Sequence, residues 1–248
     1  MPRIDLARGL LDPGLFSDNA PKMWAFYEES VGLPRLENLR HSPTYQEVFF
    51  TLPPGKLKIQ SFDTPMGPAT TGYKELLVAR DGLSSARALR DPDGLAVTLV
   101  PRGERGVTSA GIVVGVGDPD AQERFLIDGM GARRHAGGLR VGDTQVFVEE
   151  DPRARPATPT ARRGFVYLTL IVHDCVAAHE ALLAAGAEHS ARVLRLMDRC
   201  LFSWVRDPAG NWIEIIQYAE LSGPLPEAPR LADHWEEVER WRDQGTAY

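Results

Sequence analysis

The 248 residues carry a formal net charge of −6, 43% are hydrophobic and 25% are charged, a composition typical of a globular protein with a sizeable core. The acidic excess argues against a nucleic-acid or anionic-membrane partner, since either needs a basic face. The two cysteines are too few for a disulfide framework or a four-cysteine zinc site, and no apolar run approaches the ~20 residues of a membrane span. With no signal peptide apparent, we expect a cytoplasmic protein.

The N-terminal half contains two segments rich in predicted strands. In the first, Asn19-Ala-Pro21 opens a helix that ends at Gly32, because Pro suits a first helical turn and Gly a helix end. Its predicted strands are Ile4–Leu11, one around Gln46–Leu52 and one around Leu57–Phe62. The second segment has predicted strands Tyr73–Ala79 and Leu95–Val100, with little room for a helix between them.

The C-terminal half repeats the same order of elements twice. Asp118 and Asp174 are each placed as the N-cap of a helix. In the third segment the predicted strands are Gly111–Val116, Gly138–Val141 and Thr144–Glu149. In the fourth they are Phe165–Val172, Ala191–Met197, Cys200–Val205 and Trp212–Tyr218.

A repeated turn indicates that the chain is a duplication. Arg90-Asp-Pro-Asp-Gly94 matches Arg206-Asp-Pro-Ala-Gly210, and a strand follows each copy in the same register. We therefore predict an N-terminal domain over residues 1–104, a C-terminal domain over 105–222 and a tail over 223–248. The tail contains a predicted short helix with Trp235, Val238 and Trp241 on its apolar face.

These features carry a resemblance to a known family. Four units of strand, helix and further strands, with the turn Arg206-Asp-Pro-Ala-Gly-Asn211 and then Glu214 closing one of them, resemble the vicinal oxygen chelate superfamily of glyoxalase I, bleomycin-resistance proteins and extradiol dioxygenases. WAFYEESVGL is similar to the family's first helix, and YLTLIVHDCVAAHEALLAAGAE to the opening of a later module. The resemblance implies an α+β fold of four βαβββ modules that pair into two cup-shaped mixed sheets, a ligand on the concave face, and a homodimer.

The resemblance also implies where a metal would bind. Most enzymes of the superfamily hold a divalent ion through His or Gln near the start of a first strand and Glu near the end of a last strand. On this chain the N-terminal cup would offer Asp5, Lys58 or Gln60, Tyr73 and Thr98. The C-terminal cup would offer Gly111, Phe147, Tyr167 and Glu214. Neither set supplies three suitable ligands, so we expect no cofactor; a divalent metal on relocated ligands such as Asp5, Gln60 or His41 is the alternative.

Three residues are predicted to be catalytic. Glu214 in an apolar cup is expected to act as a general acid or base, with Tyr167 orienting a substrate oxygen and His41 as a second acid or base near neutral pH. Neutralisation of Glu214 by an arginine such as Arg206 or Arg199 is the structural alternative. The predicted ligand-binding residues are Thr169, Gly111, Phe147, Trp212, Asp5, Gln60 and Tyr73.

The expected function is metal-independent binding of a small hydrophobic carbonyl or aromatic compound, with proton-transfer chemistry of the isomerase or lyase type. Two alternatives stay open. One is non-catalytic sequestration of such a compound, as in bleomycin-resistance proteins. The other is a metal-dependent dioxygenase or glyoxalase with relocated ligands.

Overall fold

A computed structural model of the chain describes residues 4–157 and 162–231. These residues form four successive modules of strands and short helices. No helix within the described ranges is long and apolar enough to cross a membrane. The predicted tail helix with Trp235, Val238 and Trp241 lies outside the described residues.

The modules differ in their helices and edge strands. Module 1 consists of β1 (Asp12–Ser17), α1 (Ala20–Ala25, continued by a π-helical turn, Phe26–Ser30), β2 (Arg35–Ser42), β3 (Tyr45–Leu52) and β4 (Gly55–Phe62). Module 2, described throughout and without a helix, consists of β5 (Tyr73–Arg80), β6 (Arg87–Arg90) and β7 (Ala96–Pro101). After a 3₁₀ turn (Glu104–Gly106), module 3 consists of β8 (Ala110–Val116), α2 (Pro119–Asp128), β9 (Arg133–His135), β10 (Gly138–Val141) and β11 (Thr144–Glu150). Module 4 consists of β12 (Gly164–Ile171), α3 (Cys175–Ala184), β13 (Glu188–Leu196), β14 (Cys200–Arg206) and β15 (Trp212–Tyr218), with α4 (Ala219–Ser222) after it.

The strands of the described residues form two mixed sheets. The eight-stranded sheet has the order β13-β14-β15-β12-β1-β4-β3-β2, and the seven-stranded sheet the order β6-β7-β5-β8-β11-β10-β9. The predicted α+β class with two cup-shaped sheets is confirmed. The predicted grouping of modules is wrong, because modules 1 and 4 share one sheet and modules 2 and 3 share the other. Each cup therefore takes strands from both halves of the chain, and the domain boundary at residues 104 and 105 stays a prediction.

One continuous hydrophobic core joins the sheets and the helices. It includes Tyr27 of the π-helical turn after α1, Phe125 of α2 and Leu182 of α3, together with strand residues from both sheets. Asp118 and Asp174 cap α2 and α3 as predicted, since each carboxylate accepts a hydrogen bond of 2.9 Å from a backbone N–H three residues later.

Each copy of the repeated turn lies in one sheet and contacts a helical segment from a module of the other sheet. Asp91, in the first copy, accepts a 3.1 Å hydrogen bond from the Tyr27 hydroxyl. Asp207, in the second copy, accepts a 2.8 Å hydrogen bond from Gln122 Nε2. The duplicated motif is thus a pair of buried inter-sheet contacts, which explains why it stands out in the sequence without belonging to the candidate site.

The first strand begins later than predicted. Ile4–Leu11 was expected to be the strand, but β1 covers Asp12–Ser17. Its opening Asp-Pro-Gly has turn chemistry that disfavours a strand locally. Tertiary pairing overrides this preference, because β1 pairs with β12 on one side and with β4 on the other. Asn19 precedes the first helix, in agreement with the predicted start at Asn19-Ala-Pro21.

Candidate functional site

The eight-stranded sheet carries a second apolar cluster on the face that points away from the helices, called the cup face below. The largest members of this cluster are Phe16, Tyr167, Phe202, Trp204 and Trp212. Most of these side chains are fully buried. The cup face thus has the aromatic walls expected of a small-molecule site.

Two pairs of equivalent positions bring four polar side chains onto the cup face. Asp12 and Tyr167 both lie seven residues before the residue that precedes a helix, Asn19 and Asp174 respectively. Gly14 and Thr169 lie two residues after Asp12 and Tyr167 on the first strands of their modules. Gly14 pairs with Lys58, and Thr169 pairs with Glu214. Lys58 is therefore the module 1 counterpart of Glu214 in module 4.

Lys58 and Glu214 form a buried ion pair. Lys58 Nζ lies 2.7 Å from Glu214 Oε2, and the two side chains are only 4% and 3% exposed. The Thr169 hydroxyl donates a 2.7 Å hydrogen bond to the same carboxylate oxygen. Burial opposes the charge of Lys58, but the adjacent Glu214 carboxylate outweighs it and raises the pKa of the ammonium above its usual range. Glu214 is thus neutralised by a lysine and not by the arginine that the sequence suggested.

A hydrogen-bonded chain orients Tyr167 beside this pair. The Tyr45 hydroxyl donates to Gln60 Oε1 at 2.8 Å, and Gln60 Nε2 donates to the Tyr167 hydroxyl at 2.6 Å. Burial, followed by the nearby carboxylates, raises the pKa of both tyrosines well above the ordinary value. Both therefore remain neutral phenols, and the hydroxyl proton of Tyr167 stays available for donation.

Asp12 completes the set from the neighbouring strand. It pairs directly with Thr169 across the sheet and is fully buried. Burial raises the pKa of Asp12, although Arg8, 3.2 Å from Oδ2, and Lys58 oppose that shift. Asp12 was not among the predicted site residues, because the first strand was predicted at Ile4–Leu11 and β1 begins at Asp12; the Asn19-Ala-Pro helix start is the signal that locates it.

Segments from outside the sheet cover the cup face. Residues that pack on it include Ala7, Met66, Ala69, Ala157 and Leu231. At one side of this cover, His41 is exposed, stacks on Tyr45 with a ring separation of 4.7 Å and lies 3.6 Å from a carboxylate oxygen of Glu47. Tyr45 separates His41 from Gln60, so His41 lies at the rim of the cup and not beside Glu214.

The structure places several predicted site residues elsewhere. Asp5 is exposed, and its carbonyl accepts the backbone N–H of His173. Tyr73 faces the main core, where its hydroxyl donates to the Trp212 carbonyl at 3.0 Å and its ring stacks on Phe165. These two assignments to a cup are wrong, because β1 starts later than predicted and Tyr73 lies on the opposite face of β5. Of the predicted set, the structure brings together Glu214, Tyr167, Thr169, Trp212 and Gln60.

Gly111 and Phe147 belong to the seven-stranded sheet. Leu77 pairs with Thr98 on β5 and β7 in the same way that Thr169 pairs with Glu214 on β12 and β15. The residue two positions before Leu77 is Glu75, so Glu75 and not Tyr73 corresponds to Tyr167. The Thr98 hydroxyl hydrogen-bonds to Glu75, and the Arg105 guanidinium lies 4.0 Å from the Phe147 ring centroid. This second cup therefore carries a single carboxylate at its four corresponding positions.

Comparisons with known proteins agree with this architecture. The family model of the Glyoxalase/Bleomycin resistance protein/Dioxygenase superfamily matches residues 9–215. The chain belongs to this superfamily. Glyoxalase I from Zea mays has a similar structure (TM-score 0.65, 14% identity, 96% of this chain and 95% of that chain covered). A putative dioxygenase from Bacillus subtilis is also similar (TM-score 0.61, 12% identity, 97% of each chain). At these identities the likeness concerns the fold alone, and no curated protein matches the chain.

The superfamily implies a divalent metal, but the residues at the corresponding positions do not fit one. The position of module 1 that corresponds to Glu214 carries the Lys58 ammonium, which already forms an ion pair with the Glu214 carboxylate. A cation repels a divalent ion, and a neutral Tyr is a poor ligand. Within residues 4–157 and 162–231, no three His, Cys, Asp or Glu side chains are grouped so as to hold a metal. The relocated set of Asp5, Gln60 and His41 is not brought together either.

Gly14 allows Tyr167 to lie across the sheet, which leads to a prediction. A Cβ on Gly14 would lie 2.2 Å from Tyr167 Cζ, whose ring is fully buried. We expect Gly14→Ala to lower the free energy of unfolding by about 1–3 kcal/mol, as overpacking does. In urea denaturation, the control Gly117→Ala, where no atom lies within 4 Å of the added Cβ, should change it by less than about 0.5 kcal/mol. Equal effects of the two substitutions would contradict this packing role.

Proposed function

We propose that the protein binds a small hydrophobic carbonyl or aromatic compound at the cup face of the eight-stranded sheet and transfers a proton next to the carbonyl without a metal. The observation that carries this proposal is the Lys58–Glu214 pair, a base and a cation 2.7 Å apart, in a buried aromatic setting. Phe16, Trp204 and Trp212 supply apolar walls for such a ligand, and the few polar groups fix its orientation. Entry of the ligand requires the cover that includes Met66 and Ala157 to move.

Each polar group has a distinct task in this chemistry. Glu214 takes the proton from the carbon beside the carbonyl; the C–H electron pair moves into a C=C bond, and the carbonyl oxygen becomes an oxyanion. Lys58 stabilises that oxyanion, because an ammonium has three donors and the bond to Glu214 uses one. Tyr167 donates to the same oxygen from the position that Gln60 sets. Return of the proton from Glu214 to a different carbon or face gives isomerisation or epimerisation.

The proposal is tested with the intact chain and a panel of aryl ketones and arylpyruvates. Compounds that raise the melting temperature are then followed by NMR in D₂O for deuterium exchange at the carbon beside the carbonyl. Loss of a general base typically costs about 10²–10⁴-fold in rate, so Glu214→Gln should slow the exchange by at least about 100-fold while the compound still binds.

Glu220→Gln is the matched control, since Glu220 is exposed on α4. It should exchange like the unmodified protein. Exchange by Glu214→Gln at the unmodified rate would overturn the proposed chemistry. Tight binding without exchange in the unmodified protein would instead support non-catalytic sequestration. The Lys58 charge beside Glu214 leaves no net negative charge at that pair, which favours a neutral or anionic ligand over a cationic drug.

A further inference from the structure

The internal duplication places opposite charges at equivalent positions of one sheet. Lys58 on β4 and Glu214 on β15 occupy the same place in modules 1 and 4, as the register of each with its first strand shows. A duplication begins with identical residues at equivalent positions. Here the two side chains differ in sign and meet across the centre of the cup face.

Lysine is rare in this chain, which makes its presence here informative. The chain has four lysines, Lys22, Lys56, Lys58 and Lys74, and Lys58 is the buried one among them. Burying an ammonium is costly unless it is paired. The groups that act on it electrostatically are Glu214, Tyr218, Glu47 and Asp12, and the Tyr167 ring centroid lies 5.8 Å from Nζ. Asp12 and Glu214 are both buried carboxylates that act on the Lys58 charge, and Asp12 is also held by Arg8, 3.2 Å away.

We propose that the Lys58 ammonium is the resident cation of this site, that it stands where this fold would hold a divalent ion, and that exchanging it for a carboxylate uncovers a latent metal site. The donors of the uncovered site would be Asp12, Glu214 and the new carboxylate. Three carboxylates with neighbouring hydroxyls form an oxygen-rich set that suits Mn²⁺ and Zn²⁺. This inference does not depend on the proposed proton transfer, because it concerns the charge at the site and not a ligand.

The first test uses the unmodified protein and NMR of ¹⁵N-lysine side chains, with four signals to assign. The fold is monitored by circular dichroism across the titration. Lys58 should keep its proton above the usual lysine range of about pH 10.4, because the Glu214 carboxylate 2.7 Å away stabilises its charge. In Glu214→Gln that support is gone, so burial should make Lys58 lose its proton below that range. Titration of Lys58 within the usual lysine range in the unmodified protein would overturn the proposal.

The second test measures metal content after dialysis against Mn²⁺ or Zn²⁺, by mass spectrometry, in the unmodified protein, Lys58→Glu and the control Lys56→Glu. Lys56 lies two residues away on β4 and carries the same charge change at a partly exposed position. We expect one ion per chain in Lys58→Glu, removed by chelator, and none in the other two proteins. The ion should also raise the melting temperature of Lys58→Glu alone.

The outcomes separate clearly. Folding of Lys58→Glu only in the presence of metal supports the proposal. One ion per chain in the unmodified protein, abolished by Glu214→Gln, overturns it, as does equal metal content in Lys58→Glu and Lys56→Glu. If Lys58→Glu does not fold with or without metal, the lysine titration in the unmodified protein decides. None of these readouts uses a substrate, so they can fail or succeed separately from the deuterium-exchange experiment.

Discussion

Replacing Lys58 with Met is expected to lower the free energy of unfolding by about 3–5 kcal/mol, the usual cost of breaking a buried ion pair by removing one partner. The substitution keeps the apolar stem of the side chain. It leaves the Glu214 carboxylate buried with the hydroxyl of Thr169 but without its cation, 2.7 Å away in the unmodified protein. Urea denaturation followed by circular dichroism measures the difference.

Two further variants make this result specific. Lys56→Met removes an exposed pair of similar length, since Lys56 Nζ lies 3.0 Å from Glu37 and the two side chains are 30% and 46% exposed. Exposed pairs contribute about 0–1 kcal/mol, so this control should remain close to the unmodified protein.

The double variant Lys58→Met/Glu214→Leu should recover to within about 1–2 kcal/mol of the unmodified protein, because no charge is left buried without a partner. A double variant as unstable as Lys58→Met would show that packing, and not the uncompensated charge, causes the loss.

Asp207→Ala is expected to cost about 3–5 kcal/mol of unfolding free energy, because a hydrogen bond to a charged group contributes about 1.5–3 kcal/mol and several are lost together. Asp207 is buried and accepts hydrogen bonds from the backbone N–H groups of Ala209 and Asn211 at 3.0 and 2.8 Å. It also accepts from the side chains of Asn211 and Gln122 at 3.0 and 2.8 Å. The alanine would leave buried donors without an acceptor in the turn and at the inter-sheet contact.

Asp198→Ala is the control for this second prediction. Asp198 forms an ion pair with Arg195 at 2.9 Å, but its side chain is 85% exposed, so its loss should change the free energy of unfolding by less than about 0.5 kcal/mol. The comparison is made by urea denaturation at one pH. An Asp207→Ala protein within 1 kcal/mol of the unmodified one would mean that the turn is held by its Pro and Gly residues and not by the carboxylate.

Some candidate-site residues could be predicted from the sequence because they lie on strongly patterned strands. The apolar runs of β12 and β15 place Tyr167, Thr169 and Glu214 within seven residues of recognisable landmarks, the Asp174 cap and the repeated turn. The pairing of Glu214 with Lys58 could not be predicted, because the two lie 156 residues apart. Their contact depends on which sheet edges meet, and no local pattern encodes that choice.

The errors in strand assignment also have physical causes. Six of the eight residues of β2 are exposed and the other two are partly buried, and the residues of β9 are exposed throughout. Neither strand therefore shows the alternation that marks a half-buried strand. β1 begins with Asp-Pro-Gly, whose local preference is for a turn. The error in β1 moved the predicted site position from Asp12 to Asp5.

The family resemblance implied the fold class. By itself, the sequence determined the two capped helices α2 and α3, the repeated turn and the apolar strands of module 4. These follow from local periodicity, cap chemistry and turn chemistry, which act over a few residues. Only the tertiary structure decided that modules 1 and 4 share a sheet, that Asp12 lies beside Thr169 and that Lys58 meets Glu214. Each of these depends on long-range strand pairing, in which burial and backbone hydrogen bonds across a sheet outweigh the local preferences of the residues involved.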